Sequence, residues 1–215
     1  MSRILSACAV LTAGGLTAAC ATTAADIPQP ALQFARADCA ASPSLAGPIG
    51  LTPEKERVSH LVVAPVGTAS GCLARDGKAG PYVVFALPAD YDDKTITVGG
   101  ALEATRIFAP SVAVLDASGT VTRTFSREDY LYRGPVYSVQ FRPRQNETYV
   151  LVTSDPELVG KRYDSVSIGT NTTTICTGYT CSNWTTGVDA SQSRVFSYEG
   201  TVQVAVYDTD IKEGR

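Results

Sequence analysis

The stretch Ile107–Phe125, reading IFAPSVAVLD, then ASG, then TVTRTF, most narrows what this chain can fold into. It is two β-strands joined by a tight turn. Val112, Val114 and Leu115 give an apolar, β-branched first arm, and Asp116–Gly119 is turn chemistry. On the second arm Val121 and Phe125 face one way, and Thr120, Thr122 and Thr124 face the other. Arg123 interrupts the apolar face, so that side lies at a sheet rim or supplies the guanidinium with a carboxylate. Pro110 has no N–H to give a ladder, which predicts a sheet edge or a bulge for the first arm.

The same grammar recurs along the chain. Val58–Val66 is a short apolar run, and Tyr82–Leu87 (YVVFAL) and Tyr149–Thr153 (YVLVT) read as strands buried on both faces. Lys94–Val98 alternates, with Ile96 and Val98 inward. Tyr137, Val139 and Phe141 share one face, as do Val202, Val204 and Val206. Val166–Ile168 and Arg194–Tyr198 are short strands flanking a polar stretch, expected as a loop from Thr170 to Ser193. Roughly nine short strands, with turns every 8–12 residues, predict an all-β fold: an antiparallel β-sandwich, immunoglobulin-like or jelly-roll, over residues 57–215. The one helix signal is Thr52-Pro53-Glu54-Lys55-Glu56, a cap followed by proline at the first helical position.

The chain opens with Arg3, an uncharged apolar run Ile4–Ala13 and small residues up to Ala25, which reads as a secretory signal peptide. Two cleavage readings stand. Leu16-Thr17-Ala18-Ala19-Cys20 resembles a lipobox, giving a leader of residues 1–19 and a lipid on Cys20; ordinary cleavage after Ala24 or Ala25 is the alternative. Residues 20–56, rich in Pro, Ala and Ser, are expected as a tether whose end is tied down by Cys39. The four cysteines beyond the leader then read as disulfides of an oxidising compartment, with three pairings open. Cys176-Thr-Gly-Tyr-Thr-Cys181 closes naturally across a turn, which leaves Cys39 with Cys72.

Several segments resemble the maltose-operon periplasmic protein family (MalM type): IFAPSVAVLD at Ile107–Asp116, Tyr130-Leu131-Tyr132 with Gly134-Pro135, Tyr149-Val150-Leu151-Val152 followed by Asp155-Pro156-Glu157-Leu158, and Glu199-Gly200-Thr201. The likeness spans roughly residues 80–207, without the helical C-terminal extension of the family. It implies an accessory of carbohydrate (maltodextrin-type) transport or binding in the periplasm, anchored to the outer membrane when lipidated. Its partner would be an oligosaccharide ligand or an envelope transport protein. The resemblance carries no catalytic residues.

The residues themselves argue against several function classes. A formal net charge of −3 leaves no basic footprint for nucleic acid. The sole histidine, His60, stands beside Leu61, Val62 and Val63 with no nucleophile elbow, so no triad and no enzyme is expected. Glu128-Asp129 and Asp155 with Glu157 sit in turn-like, solvated settings rather than as a catalytic carboxylate pair. Asp90-Tyr91-Asp92-Asp93 lacks the ligand spacing of a calcium loop, and the chain implies no metal and no cofactor. The best binding candidates are Tyr179, Asn183 and Trp184, in the Thr/Gly-rich segment closed by Cys176 and Cys181. Exposed aromatics there would offer a face to a sugar ring or a protein. The competing reading folds Trp184 back as a cap on the sandwich. The alternative function is a structural or adhesion-type module that binds another envelope protein through a sheet edge.

Overall fold

The structure, a computed structural model, describes residues 27–55, 59–75, 77–91 and 93–208. The leader, Cys20 and Glu56 lie outside the described residues, as does Asp92 of the acidic turn. Two sheets face each other. The first runs β1 (Ile49–Gly50), β4 (Lys78–Ala86), β11 (Tyr149–Ser154), β7 (Pro110–Leu115), β8 (Val121–Thr124), with β3 (Gly71–Arg75) also on the β4 edge. The second runs β2 (His60–Val66), β14 (Gly200–Asp208), β5 (Lys94–Ala101), β10 (Val136–Phe141), β9 (Leu131–Arg133). Apart from the parallel β1–β4 pair, both sheets are antiparallel. The predicted all-β sandwich is the observed fold.

The core forms because period-2 alternation puts one apolar set from each sheet into the gap. Phe85, Val112, Val114, Val150 and Val152 from the first sheet meet Ile96, Val98, Val139, Val202, Val204 and Val206 from the second. The opposite parity of the first sheet is also apolar. Leu73, Tyr82, Val84, Leu115 and Leu151 form a second cluster on its outer face, with Leu45 packed against it. That is why YVVFAL and YVLVT read as apolar runs without alternation.

Pro110 departs from expectation. β7 lies inside its sheet, between β11 and β8, and Pro110 is its first residue, opposite Ser154. A missing N–H is tolerated there because the strand begins at that residue, where the chain crosses from β6 (Arg106–Phe108) in a third sheet into the sandwich. The register shift falls further on, between Val114 and Leu115 against β8. Arg123 has its carboxylate: Glu147 lies 2.7 Å away with its side chain fully buried.

The segment expected as a tether packs on the sandwich over residues 27–51. Ala40 exchanges backbone hydrogen bonds with β3, Ser44 N–H donates to Tyr82 Oη, and Leu51 is fully buried. The Arg36 guanidinium donates to the carbonyls of Thr68 and Ser70. The sequence hides this because proline, alanine and serine contribute backbone rather than apolar periodicity, and the strap is held mainly through its backbone. Thr52–Lys55 bends without forming a helical turn; one isolated turn fixes several dihedrals for a single hydrogen bond. The short 3₁₀ turn lies elsewhere, at Arg127–Asp129, where Asp129 accepts hydrogen bonds from both Ser126 N–H and Ser126 Oγ.

The largest departure is the polar stretch. β12 (Arg162–Thr177) and β13 (Thr180–Ser197) are strands of 16 and 18 residues, paired antiparallel along their whole length. The expected short strands at Val166–Ile168 and Arg194–Tyr198 are parts of this ribbon, and Thr170–Ser193 is no loop. With polar residues on both faces, the period-2 apolar signal is absent, although Thr is a strong strand former.

Candidate functional site

The ribbon is anchored at its root and free beyond it. Among the described residues β13 has a second neighbour, β6, at Val195–Ser197 alone. The two strands from Asp164 to Ser193 therefore project as a pair, roughly 45 Å long at about 3.3 Å per residue. The root is locked by Arg194, which donates to Ser165 Oγ and the Glu103 carbonyl, and by Gln192, which donates to the Ala104 carbonyl. An aromatic stack adds to it. Tyr132 lies on Tyr163 with ring centroids 3.9 Å apart, and Tyr137 contacts Tyr130, Tyr132 and Phe196.

A two-residue turn, Gly178-Tyr179, reverses the chain at the tip, with Gly178 at φ 51° as primed hairpin turns require. Cys176 and Cys181 lie directly opposite each other and are disulfide-bonded, their Cα atoms 4.0 Å apart. The second disulfide joins Cys39 to Cys72. Both pairings match the expectation, and they indicate an oxidising, non-cytoplasmic compartment. Among the described residues no helix is long and apolar enough to cross a membrane.

Register decides which candidates share a face. Trp184 faces Thr173 across the ribbon, with Ile175 diagonal to it on the same face. Asn183 faces Thr174, one residue out of phase, and so points to the opposite face with the disulfide. There Thr174 Oγ1 donates to Asn183 Oδ1 at 2.9 Å, and the Thr172 and Thr185 hydroxyls meet at 3.0 Å. The structure therefore does not bring Asn183 to Trp184. Asn183 belongs to a ladder of cross-strand polar pairs. Trp184 is 67% exposed on the ribbon, so it does not cap the sandwich, and Tyr179 at the turn is wholly exposed. Sequence reading missed Ile175, exposed beside Trp184; only the strand register reveals that the two are neighbours.

The other nominated residues serve the body. His60 begins edge strand β2. Asp155 and Glu157 both pair with Arg127, at 3.1 Å each. Asp90 and Asp93 pair with Lys94, which is buried and also lies 3.8 Å from Asp208. The hydrogen bond to Asp93, supported by the neighbouring carboxylates, raises the Lys94 ammonium above its ordinary value. Burial pushes the phenols of Tyr130, Tyr132 and Tyr137 up as well. The sign is the same for all four: the folded state holds the proton more tightly, so their contribution is complete below the free-group values and fades as pH rises through the folded ones. Melting temperature is expected to hold to about pH 9 and fall between about pH 10 and 12. Lys94→Met should flatten part of that fall.

A shallow concavity of ≈ 270 Å³ lies on the body between Arg75, Lys78, Ser154, Asp155 and Glu157. Among the described residues its wall has mixed charge and no aromatic side chain. No protein-family model, curated protein or solved structure matches this chain at a significant level.

Proposed function

We propose that this chain is a non-enzymatic module of the bacterial envelope that docks another envelope protein with its projecting ribbon. In this reading it resides in the periplasm, held at the outer membrane by a lipid on Cys20. The observation that carries it is the ribbon itself. It gathers the exposed side chains of Tyr179, Trp184 and Ile175 at the end of a long two-stranded arm that projects from the body. Such an arm presents a convex, elongated surface suited to a protein surface, whereas small ligands favour concave sites. The disulfide near the tip fixes the turn in advance and so reduces the ordering cost of docking.

A saccharide reading, as an accessory of maltodextrin transport, has one observation in its favour. The Trp184 and Tyr179 rings are accessible to stack on a sugar. Trp184→Ala separates the readings. Its melting temperature is expected to stay near wild type, within roughly ±0.5 kcal/mol of stability. Recovery of a specific envelope protein from detergent-solubilised membranes should fall with an affinity loss above about 2 kcal/mol. Heat of binding to maltodextrins that disappears in Trp184→Ala, with no co-purifying protein, would replace the docking reading by the saccharide one.

A further inference from the structure

We infer that the free edge of β12 pairs antiparallel with the same edge of a second copy of this chain, forming a two-fold dimer through a four-stranded ribbon. This is distinct from the docking reading, which uses the Trp184 and Ile175 face rather than the β12 edge; the two share only Tyr179 at the turn.

The first argument is how the chain treats its other edges. β2 carries Pro65, β8 has four residues and Arg123, and β9 has three residues and Arg133. Prolines, positive charges and short length are the devices that stop edges from pairing. β12 has none of them beyond its root. No proline or charged residue occurs from Ser165 to Val188, where the chain's overall 18% would place about four charges. An isolated two-stranded ribbon is at best marginally stable in water, so an arm of this length with unguarded edges is built to be paired.

The backbone shows which groups await a partner. In an antiparallel ladder, residue pairs alternate between hydrogen-bonded, with Cα atoms about 5.5 Å apart, and non-hydrogen-bonded, at about 4.5 Å. The 4.0 Å separation of Cys176 and Cys181 marks that pair as non-hydrogen-bonded. Counting back by twos, Val166, Thr170, Thr172 and Thr174 turn their N–H and C=O groups outward on the free edge.

The second copy is the occupant because the edge complements itself. A two-fold axis at Thr170 or Asn171 pairs about thirteen residues per strand. Either register places small polar or β-branched residues opposite one another, Thr170 facing Thr170 or Thr172 of the other copy, and brings no two charges together. Antiparallel overlap also sends each tip to the other copy's root. Tyr179 arrives level with Lys161–Tyr163, where Tyr132 stacks on Tyr163 and Leu131 beside it is 57% exposed. The apolar tip and the apolar root are thus spaced to meet.

The test is the molar mass of the purified chain by sedimentation velocity at 1–100 µM on the order of normal working concentrations. A concentration-dependent dimer is expected. Thr172→Pro removes one outward N–H from the β12 edge and no intraribbon backbone hydrogen bond, and should weaken dimerisation at least tenfold; the Thr172–Thr185 hydroxyl contact is lost equally in the control below. Thr185→Pro makes the matching change on the β13 edge and should leave the dimer intact. An unchanged melting temperature and an intact Cys176–Cys181 bond, read by mass, show that each variant folds. Single cysteines at Thr170 or Asn171 should form a disulfide-linked dimer on mild oxidation, and one at Thr185 should not. A monomer across this range with no cross-link at 170 or 171 overturns the proposal, as does a dimer that Thr185→Pro breaks and Thr172→Pro spares. Trp184→Ala should dimerise normally, so loss of docking and loss of dimerisation are read separately.

Discussion

Glu147→Leu should destabilise the protein by about 3 kcal/mol, the lower part of the range for removing one partner of a buried ion pair. The Glu147 side chain is fully buried and accepts from Arg123 Nη2 at 2.7 Å and from the Arg144 N–H at 2.8 Å. Removing the carboxylate strands a guanidinium that is only 18% exposed. Arg123 keeps a hydrogen bond to the Arg142 carbonyl and the faces of Phe125 and Phe141, 5.5 and 4.9 Å from their ring centroids. Those contacts soften the loss, which is why the lower figure applies. The double variant Arg123→Leu/Glu147→Leu should recover most of the stability, because the desolvation cost of both charges disappears together. Chemical denaturation of the three variants decides it. Equal losses in the single and double variants would mean that packing, and not an unpaired charge, sets the cost.

Removing the Cys39–Cys72 bond should cost about 3–4 kcal/mol, and removing Cys176–Cys181 about 2 kcal/mol or less in global stability. The first closes a loop of 33 residues and ties the strap over the outer face of the first sheet. Without it, the strap keeps the Ala40 bridge, the Ser44 hydrogen bond to Tyr82 and buried Leu51, but Tyr82 and Leu151 lie under a loosened cover. The second joins cysteines 5 positions apart at the end of the projecting arm. Cys39→Ser/Cys72→Ser should therefore lower the melting temperature of the whole body, whereas Cys176→Ser/Cys181→Ser should raise hydrogen exchange at the tip alone. A body that melts equally early in both variants would contradict this division.

The sequence by itself determined the sandwich, because a strand with one face in a core must alternate. Ile96 and Val98, Tyr137 to Phe141 and Val202 to Val206 carry that alternation, and each packs as it predicts. It also determined the disulfides, since Cys176 and Cys181 flank a glycine turn and leave two cysteines for each other. Arg123 was legible as a charge that needs a carboxylate, but Glu147 was not, being 24 residues away in sequence. The ribbon was invisible for a physical reason: apolar periodicity reports burial, and a strand pair with solvent on both faces has none to report. Tertiary structure alone decided that Pro110 begins an interior strand, that residues 27–51 lie on the first sheet, and that Asn183 faces away from Trp184. Each of these depends on pairing register or on backbone hydrogen bonds between distant segments, and neither leaves a local mark in side-chain order.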